Sequence, residues 1–192
     1  MKKISTWQTA LKGLKTGNAN FVNDNLKNDF QDSLRRKEAV EGQSPFAVIL
    51  TCSDSRVIPE LIFDTGIGEL FVIRVAGNIA NTSTIASIEY AVIHLNVKLI
   101  VVLGHQNCGA VTAALAGVDN GKNIEHLFRF IHPAISISDS KKVDDVSHIH
   151  AKLTAEKLIV ESTIIAKAVE YNALKIIPAY YNLEIGQVDL FE

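Results

Sequence analysis

The pattern of apolar and polar positions changes character part-way along the chain. From residue 5 to 40 the sequence is polar with a helical recurrence, in which Trp7, Leu11 and Leu14 return at intervals of three or four. Gly17-Asn18 predicts a break, and a second polar helix is expected over 22–39. Unbroken apolar runs then take over at 46–51, 69–75 and 98–103, with a fourth at 174–181 and an edge candidate at 187–191. Runs of Val, Ile and Leu without alternation suit strands buried on both faces, as in a parallel sheet. Helical segments are predicted between and after them, at 57–63, 83–95, 108–116, 124–135 and 150–171. Strands alternating with helices predict an α/β fold: a central, mostly parallel β-sheet flanked by helices, with an N-terminal helical arm. The expected division is an arm over 1–40 and an α/β domain over 41–192, one domain overall. The arm's apolar residues call for a covering surface, such as another subunit.

Composition narrows the function classes. The chain has 192 residues, 47% of them apolar, which is enough for a sizeable core and excludes disorder. A formal net charge of −2, with Lys and Arg spread along the chain, predicts neither a nucleic-acid footprint nor a polybasic membrane patch. The start, MKKISTWQTALKGLK, is basic but has no apolar core of a secretory signal behind it. No run approaches the roughly 18 apolar residues of a membrane span. A soluble, cytoplasmic protein is expected. Its two cysteines, Cys52 and Cys108, then point to metal binding or catalysis before a disulfide.

In parallel α/β sheets, ligands gather beyond the carboxyl ends of the strands. Cys52 follows the first apolar run and His105 the third, so both fall on the same sheet edge. His105 and Cys108 are three residues apart across a strand-to-helix turn, and Cys108 sits where a helix dipole favours a thiolate. Two thiols and an imidazole are donors that zinc prefers, and a catalytic zinc keeps a fourth position open. A single buried cysteine is ordinarily core, and a lone His-x-x-Cys is weak. Three soft donors at one edge beside Asp54 and Arg56 are a different matter. If the backbone stays extended, Asp54 shares a face with Cys52 and can either ligate the metal or orient what binds there. Arg56 is its natural bidentate partner; the plainer reading is an ion pair that ties down the loop.

These stretches resemble the β-class carbonic anhydrases. The likeness rests on Cys-Ser-Asp-Ser-Arg-Val at 52–57 and Gly-His-Gln-Asn-Cys-Gly at 104–109, with Glu-Leu-Phe-Val-Ile-Arg-Val-Ala-Gly-Asn and Ile-Glu-Tyr-Ala-Val between them. It runs from Gln43 to Gly117 and returns at Ala-Tyr-Tyr-Asn-Leu-Glu-Ile-Gly-Gln-Val near the C-terminus. The resemblance implies reversible hydration of carbon dioxide to bicarbonate and a proton by zinc-bound hydroxide. It implies Cys52, His105 and Cys108 as zinc ligands, with Asp54 as the alternative fourth, and Asp54 with Arg56 as the catalytic dyad. Gln43, Phe71 and Tyr90 match residues that bind or enclose substrate, Tyr90 from a partner subunit. A homodimer or a higher even homo-oligomer is implied.

Two positions depart from the family pattern. Val75 replaces the Asn of the usual Arg-Asn-Ala-Gly-Asn. Ile49 stands where members with a regulatory bicarbonate site carry Trp, although Arg74 and the Tyr180-Tyr181 pair remain. Two competing readings stay open: a hydrolase on the same scaffold acting on a relative of carbon dioxide such as carbon disulfide, and a non-catalytic module whose zinc is closed off by Asp54.

Overall fold

The structure is a computed structural model that describes residues 6–118 and 121–191. Residue 5, where the expected helical stretch opens, lies outside them.

Among the described residues the sheet has five strands: β1 (Ala47–Thr51), β2 (Leu70–Arg74), β3 (Leu99–His105), β4 (Lys175–Tyr181) and β5 (Val188–Leu190). Their order is β2-β1-β3-β4-β5, with every pair parallel except β4 and β5. Nine helices are assigned in the described residues: α1 (Trp7–Val22), α2 (Ser33–Glu38), α3 (Pro59–Ile62), α4 (Thr82–His94), α5 (Gly109–Ala116), α6 (Lys122–Phe128), α7 (His132–Ile137), α8 (Val143–Glu161) and α9 (Thr163–Glu170). This is the α/β architecture that the apolar runs predict.

β1 and β3 are buried at every position, and their alternate residues face opposite cores. Ile49, Val101 and Leu103 pack on one side with α1 and α3, beside Leu14 and Phe63. Val48, Leu50, Ile100 and Val102 pack on the other with Ile88 of α4, Ala151 and Leu158 of α8 and Ile165 of α9. A third cluster, at the carboxyl end of β1 and β3, gathers Cys52, Cys108, Val111, Phe128, Ile131 and Val146.

The N-terminal segment departs most from expectation. Gly17-Asn18 does not break α1, which runs through both. Gly17 is there because α1 crosses the 62–64 backbone so closely that a Cβ would lie 1.8 Å from Phe63 O. Asn18 is buried, donates to Ile62 O at 3.3 Å and Gly186 O at 2.9 Å, and accepts from Val188 N at 2.9 Å. Ala10, Leu11 and Leu14 are buried too, so α1 is packed onto the sheet rather than held away from it. The helix expected over 22–39 shrinks to α2. Asp24, Asn28 and Phe30 take positive φ, and Asp64 captures the Lys27 and Asn28 amides together with the Asn20 side chain. Short Asx side chains that satisfy backbone locally compete with helix, and Asp32 restarts it by capping Arg35 N.

Other boundaries shift for capping reasons. The segment expected as one helix at 150–171 is two: Ser162 accepts from Ile165 N and donates to Glu89, which ends α8 and caps α9. The 124–135 helix likewise divides into α6 and α7, with Pro133 in the first turn of α7.

Candidate metal centre

β1 ends at Thr51, which places Cys52 at the carboxyl edge of the sheet. The neighbouring β3 ends at His105, two residues later than the apolar run indicates. Thr51 ties the two strand ends together by donating its hydroxyl to Leu103 O at 3.0 Å. Asn107, at a positive φ of 52°, turns the chain so that Cys108 caps α5. The result is one cluster: ligand atoms of Cys52, His105 and Cys108 all lie within 4.8 Å of one another, and all three residues are buried.

Both thiols are free. His105 Nδ1 lies 2.9 Å from its neighbour's carbonyl, Gln106 O, which can only accept, so Nδ1 carries the hydrogen and Nε2 presents its lone pair. That buried Nε2 has no hydrogen-bond partner. An orphaned imidazole nitrogen facing two buried sulfurs fits a metal ion. Zinc at about 2.3 Å from sulfur and about 2.0–2.1 Å from nitrogen needs donors roughly 3.5–4 Å apart, so the three side chains are near their required places.

The thiol electrostatics agree. Cys52 is held well below the ordinary thiol value, first by the hydrogen bond from Cys108, against the opposing effect of burial, and further by His105 beside it and the Gly77 amide, which meets its Sγ at 3.3 Å. Cys108 is pushed up by that same pairing, by burial and by the charge on Cys52, against the pull of the Ala110 and Val111 amides. Two sulfurs in contact in an apolar pocket keep one proton between them, and a divalent cation would take that proton's place.

Asp54 is not part of the converging triad. Arg56 grips it with Nε to Oδ1 at 2.9 Å and Nη2 to Oδ2 at 2.7 Å, and the Arg56 amide adds a third contact at 2.9 Å. This pairing, ahead of every other influence, holds the Asp54 carboxyl well below the usual carboxylate range. Its Oδ2 is nevertheless 4.0 Å from His105 Nε2, at the rim of the metal position. The Asp54–Arg56 ion pair is thus present at the edge of the triad.

Three supporting residues act in ways that the sequence did not indicate. Arg74 donates to Cys52 O at 3.3 Å and Asp54 O at 2.7 Å, bracing the loop that carries both. Asp144, in the first turn of α8, accepts the Asn107 amide at 2.9 Å and a hydrogen bond from the Tyr180 hydroxyl. Gly77 contributes the N–H at Cys52. Arg74 and Gly77 lie within the stretch that carries the family resemblance, whereas Asp144 sits on a distant helix and gives no local signal. The trio of a bicarbonate regulatory site is incomplete: Ile49, in the Trp position, is buried in the core beside Tyr181, and Arg74 braces the loop of Cys52 and Asp54.

The substrate-pocket candidates lie apart from the triad in the chain. Phe71 on β2 and Tyr90 on α4 come together, their ring centroids 6.3 Å apart, and Tyr90 is 48% exposed. Gln43 is exposed in the loop before β1.

The sequence model of the carbonic anhydrase family matches residues 47–188, spanning every part of this centre. The chain belongs to the β-carbonic anhydrase family. It is 38% identical over 188 residues to carbonic anhydrase 2 of Mycobacterium tuberculosis, covering 94% of this chain and 91% of that protein. The carbonic anhydrase of Mycolicibacterium smegmatis is similar to the same extent, 38% over 188 residues, with 94% and 91% covered. In fold the chain is similar to a tetrameric β-carbonic anhydrase of Sordaria macrospora, with a TM-score of 0.75 at 23% identity over 96% of this chain and 97% of that one. Among the described residues, no helix is long and apolar enough to cross a membrane.

Proposed function

We propose that this β-carbonic anhydrase family member hydrates carbon dioxide reversibly to bicarbonate and a proton, using a zinc ion held by Cys52, His105 and Cys108. The observation that carries the reading is the buried triad, with an unpartnered His105 Nε2, directly beside a bidentate Asp54–Arg56 pair. Zinc in such a set supplies Lewis acidity, which makes a hydroxide nucleophile available near neutral pH.

The chain's own groups do the rest. Because Arg56 keeps Asp54 ionised, Asp54 is a pure acceptor at any working pH. It holds the O–H of the attacking group and turns the oxygen lone pair toward the substrate. Arg56, half-exposed, fixes Asp54 in that orientation and keeps it from occupying the open position itself. Carbon dioxide is apolar and carries no charge, so the aromatic surface of Phe71 and Tyr90 suits it, and Gln43 supplies a polar contact. We assign these three to a pocket shared between subunits. Tyr90 and the neighbouring Ile93, 54% exposed, leave an apolar surface on α4 beside edge strand β2, as a homodimer or higher even oligomer requires. Two reduced thiols fit a cytoplasmic location.

The Asp54–Arg56 pair also favours this reading over a closed structural zinc, because a carboxylate already bound at two points has no need of a metal. The test is zinc content together with the rate of carbon dioxide hydration. One zinc per chain with fast hydration is expected; stoichiometric zinc without hydration would leave the structural-metal reading and the hydrolase of a related substrate. Sedimentation at working concentration checks the shared pocket, and a fully active monomer would remove Tyr90 from it.

A further inference from the structure

Besides His105, the buried histidine among the described residues is His150, on α8, 1% exposed. Its Nε2 lies 2.6 Å from Gly77 O. A carbonyl oxygen only accepts, so Nε2 carries the hydrogen. Burial lowers the basicity of the ring, so it stays neutral. Its Nδ1 is then a lone pair with no hydrogen-bond partner, in a site closed to solvent. Such an atom is costly to bury, so the ring's other contact has to repay its place there.

That contact reaches the metal centre through a single residue. Gly77 has φ 73° and ψ 19°, inside the short 3₁₀ turn Ala76–Asn78. This left-handed conformation sends its carbonyl toward α8 and its N–H toward Cys52 Sγ, 3.3 Å away. The residue is enclosed, since a Cβ would lie 3.0 Å from Ile131 Cδ1 and 3.3 Å from Ala110 Cβ. The turn is tied at its start by Val75 N to Thr51 O at 3.1 Å. His150 is the side chain that anchors its middle.

We infer that His150 is a positioning residue for the metal centre: by holding the Gly77 carbonyl it aims the Gly77 N–H at Cys52 Sγ, and so limits how much charge that sulfur gives the metal. The inference rests on the metal reading above. A hydrogen bond to a ligand sulfur draws electron density from it, leaving the ion more Lewis-acidic; partners of this kind are worth about 10–100-fold in metal affinity.

The test compares His150→Gln, whose amide can present a donor where Nε2 stands, with His150→Met, which has similar bulk and no donor. Each protein is loaded with cobalt(II). The thiolate-to-cobalt charge-transfer band is recorded, and the release of zinc to a chelator is timed. Wild type and His150→Gln should share one band position and one release rate. In His150→Met the band should move to lower energy, as expected of a more electron-rich sulfur, and zinc should leave about 10-fold faster, because losing the tie that orients the ligand loop outweighs the stronger sulfur donation. Should His150→Met fail to fold, His150→Asn, too short to reach the carbonyl, takes its place in the same comparison. A His150→Met or His150→Asn protein that matches wild type in both readouts would overturn the inference, as would a His150→Gln protein that behaves like them. A wild-type protein with no thiolate charge-transfer band would remove the metal reading itself, and the inference with it.

Discussion

Gly17→Ala sets two effects of opposite sign against each other. Alanine is the better helix former by about 1 kcal/mol in a helix interior, and Gly17 lies well inside α1. Propensity alone therefore predicts stabilisation. The packing predicts the reverse, because the new Cβ would lie 1.8 Å from Phe63 O and 2.5 Å from Phe63 C, both backbone atoms. To reach an ordinary contact, α1 has to retreat by roughly 1.5 Å, and a gap of that size forfeits half or more of the local dispersion. Leu11 and Leu14, which α1 buries, are worth about 1.5–3 kcal/mol each, so roughly 2 kcal/mol is at stake there. Next to the glycine, Asn18 stands to lose three hydrogen bonds of about 1 kcal/mol net each. Even partial loss outweighs the gain, and a net destabilisation of about 2–4 kcal/mol is expected, or a Tm roughly 4–16 °C lower. Thermal and urea unfolding of the two proteins decide it. A Gly17→Ala protein as stable as wild type, or more so, would refute the close-crossing argument.

Other expectations concern the centre itself. Cys108→Ala should bind zinc at least about 100-fold more weakly, since it removes a direct ligand; undiminished zinc by metal analysis would remove Cys108 from the site. Arg56→Ala should keep its zinc but hydrate carbon dioxide about 10²-fold more slowly or worse, because Asp54, with Oδ2 already 4.0 Å from His105 Nε2, loses the partner that holds it off the metal; wild-type rates at every pH would contradict this. The metal-free protein should lose stability as pH falls below about 6.5, because burial holds His150 below its unfolded value, an effect larger than the opposing hydrogen bond to Gly77 and the charge of Cys52. That contribution is fully present above the unfolded pKa, where neither state binds the proton. It declines as the unfolded chain takes up a proton that the folded one refuses. His150→Gln should flatten that part of a stability-against-pH curve, and an unchanged slope would show that another group is responsible.

The centre was more legible in the sequence than its supports. Unbroken runs such as AVIL and IVVL fix which strands are central, and a parallel sheet then puts Cys52 and His105 on one edge. The Asp54–Arg56 pair follows from a two-residue spacing. What escaped depends on contacts between segments far apart. Asp144 meets Asn107 only after α8 has docked, and nothing local in the sequence around either residue marks the pair. Gly17-Asn18 misled because the same two residues that usually end a helix also suit a close helix–backbone crossing and a buried amide. The 22–39 stretch misled because the Lys27 and Asn28 amides donate to the Asp64 carboxylate, outside any local window.

The two halves of the metal centre come from different strand ends, and this sets an order of events in folding. Thr51, next to Cys52, and Leu103, two residues before His105, are bonded across the sheet but stand 52 positions apart in the chain. A parallel pairing of that span carries its loop-closure entropy before any contact repays it, which makes it a slow step. Until it forms, the first cysteine has no histidine beside it, and a ribosome-bound chain that stops short of residue 108 has no site at all. The metal cannot nucleate this fold in the way that it nucleates a zinc finger. It arrives at a sheet already assembled, so chelators should strip activity from the mature protein long before they unfold it.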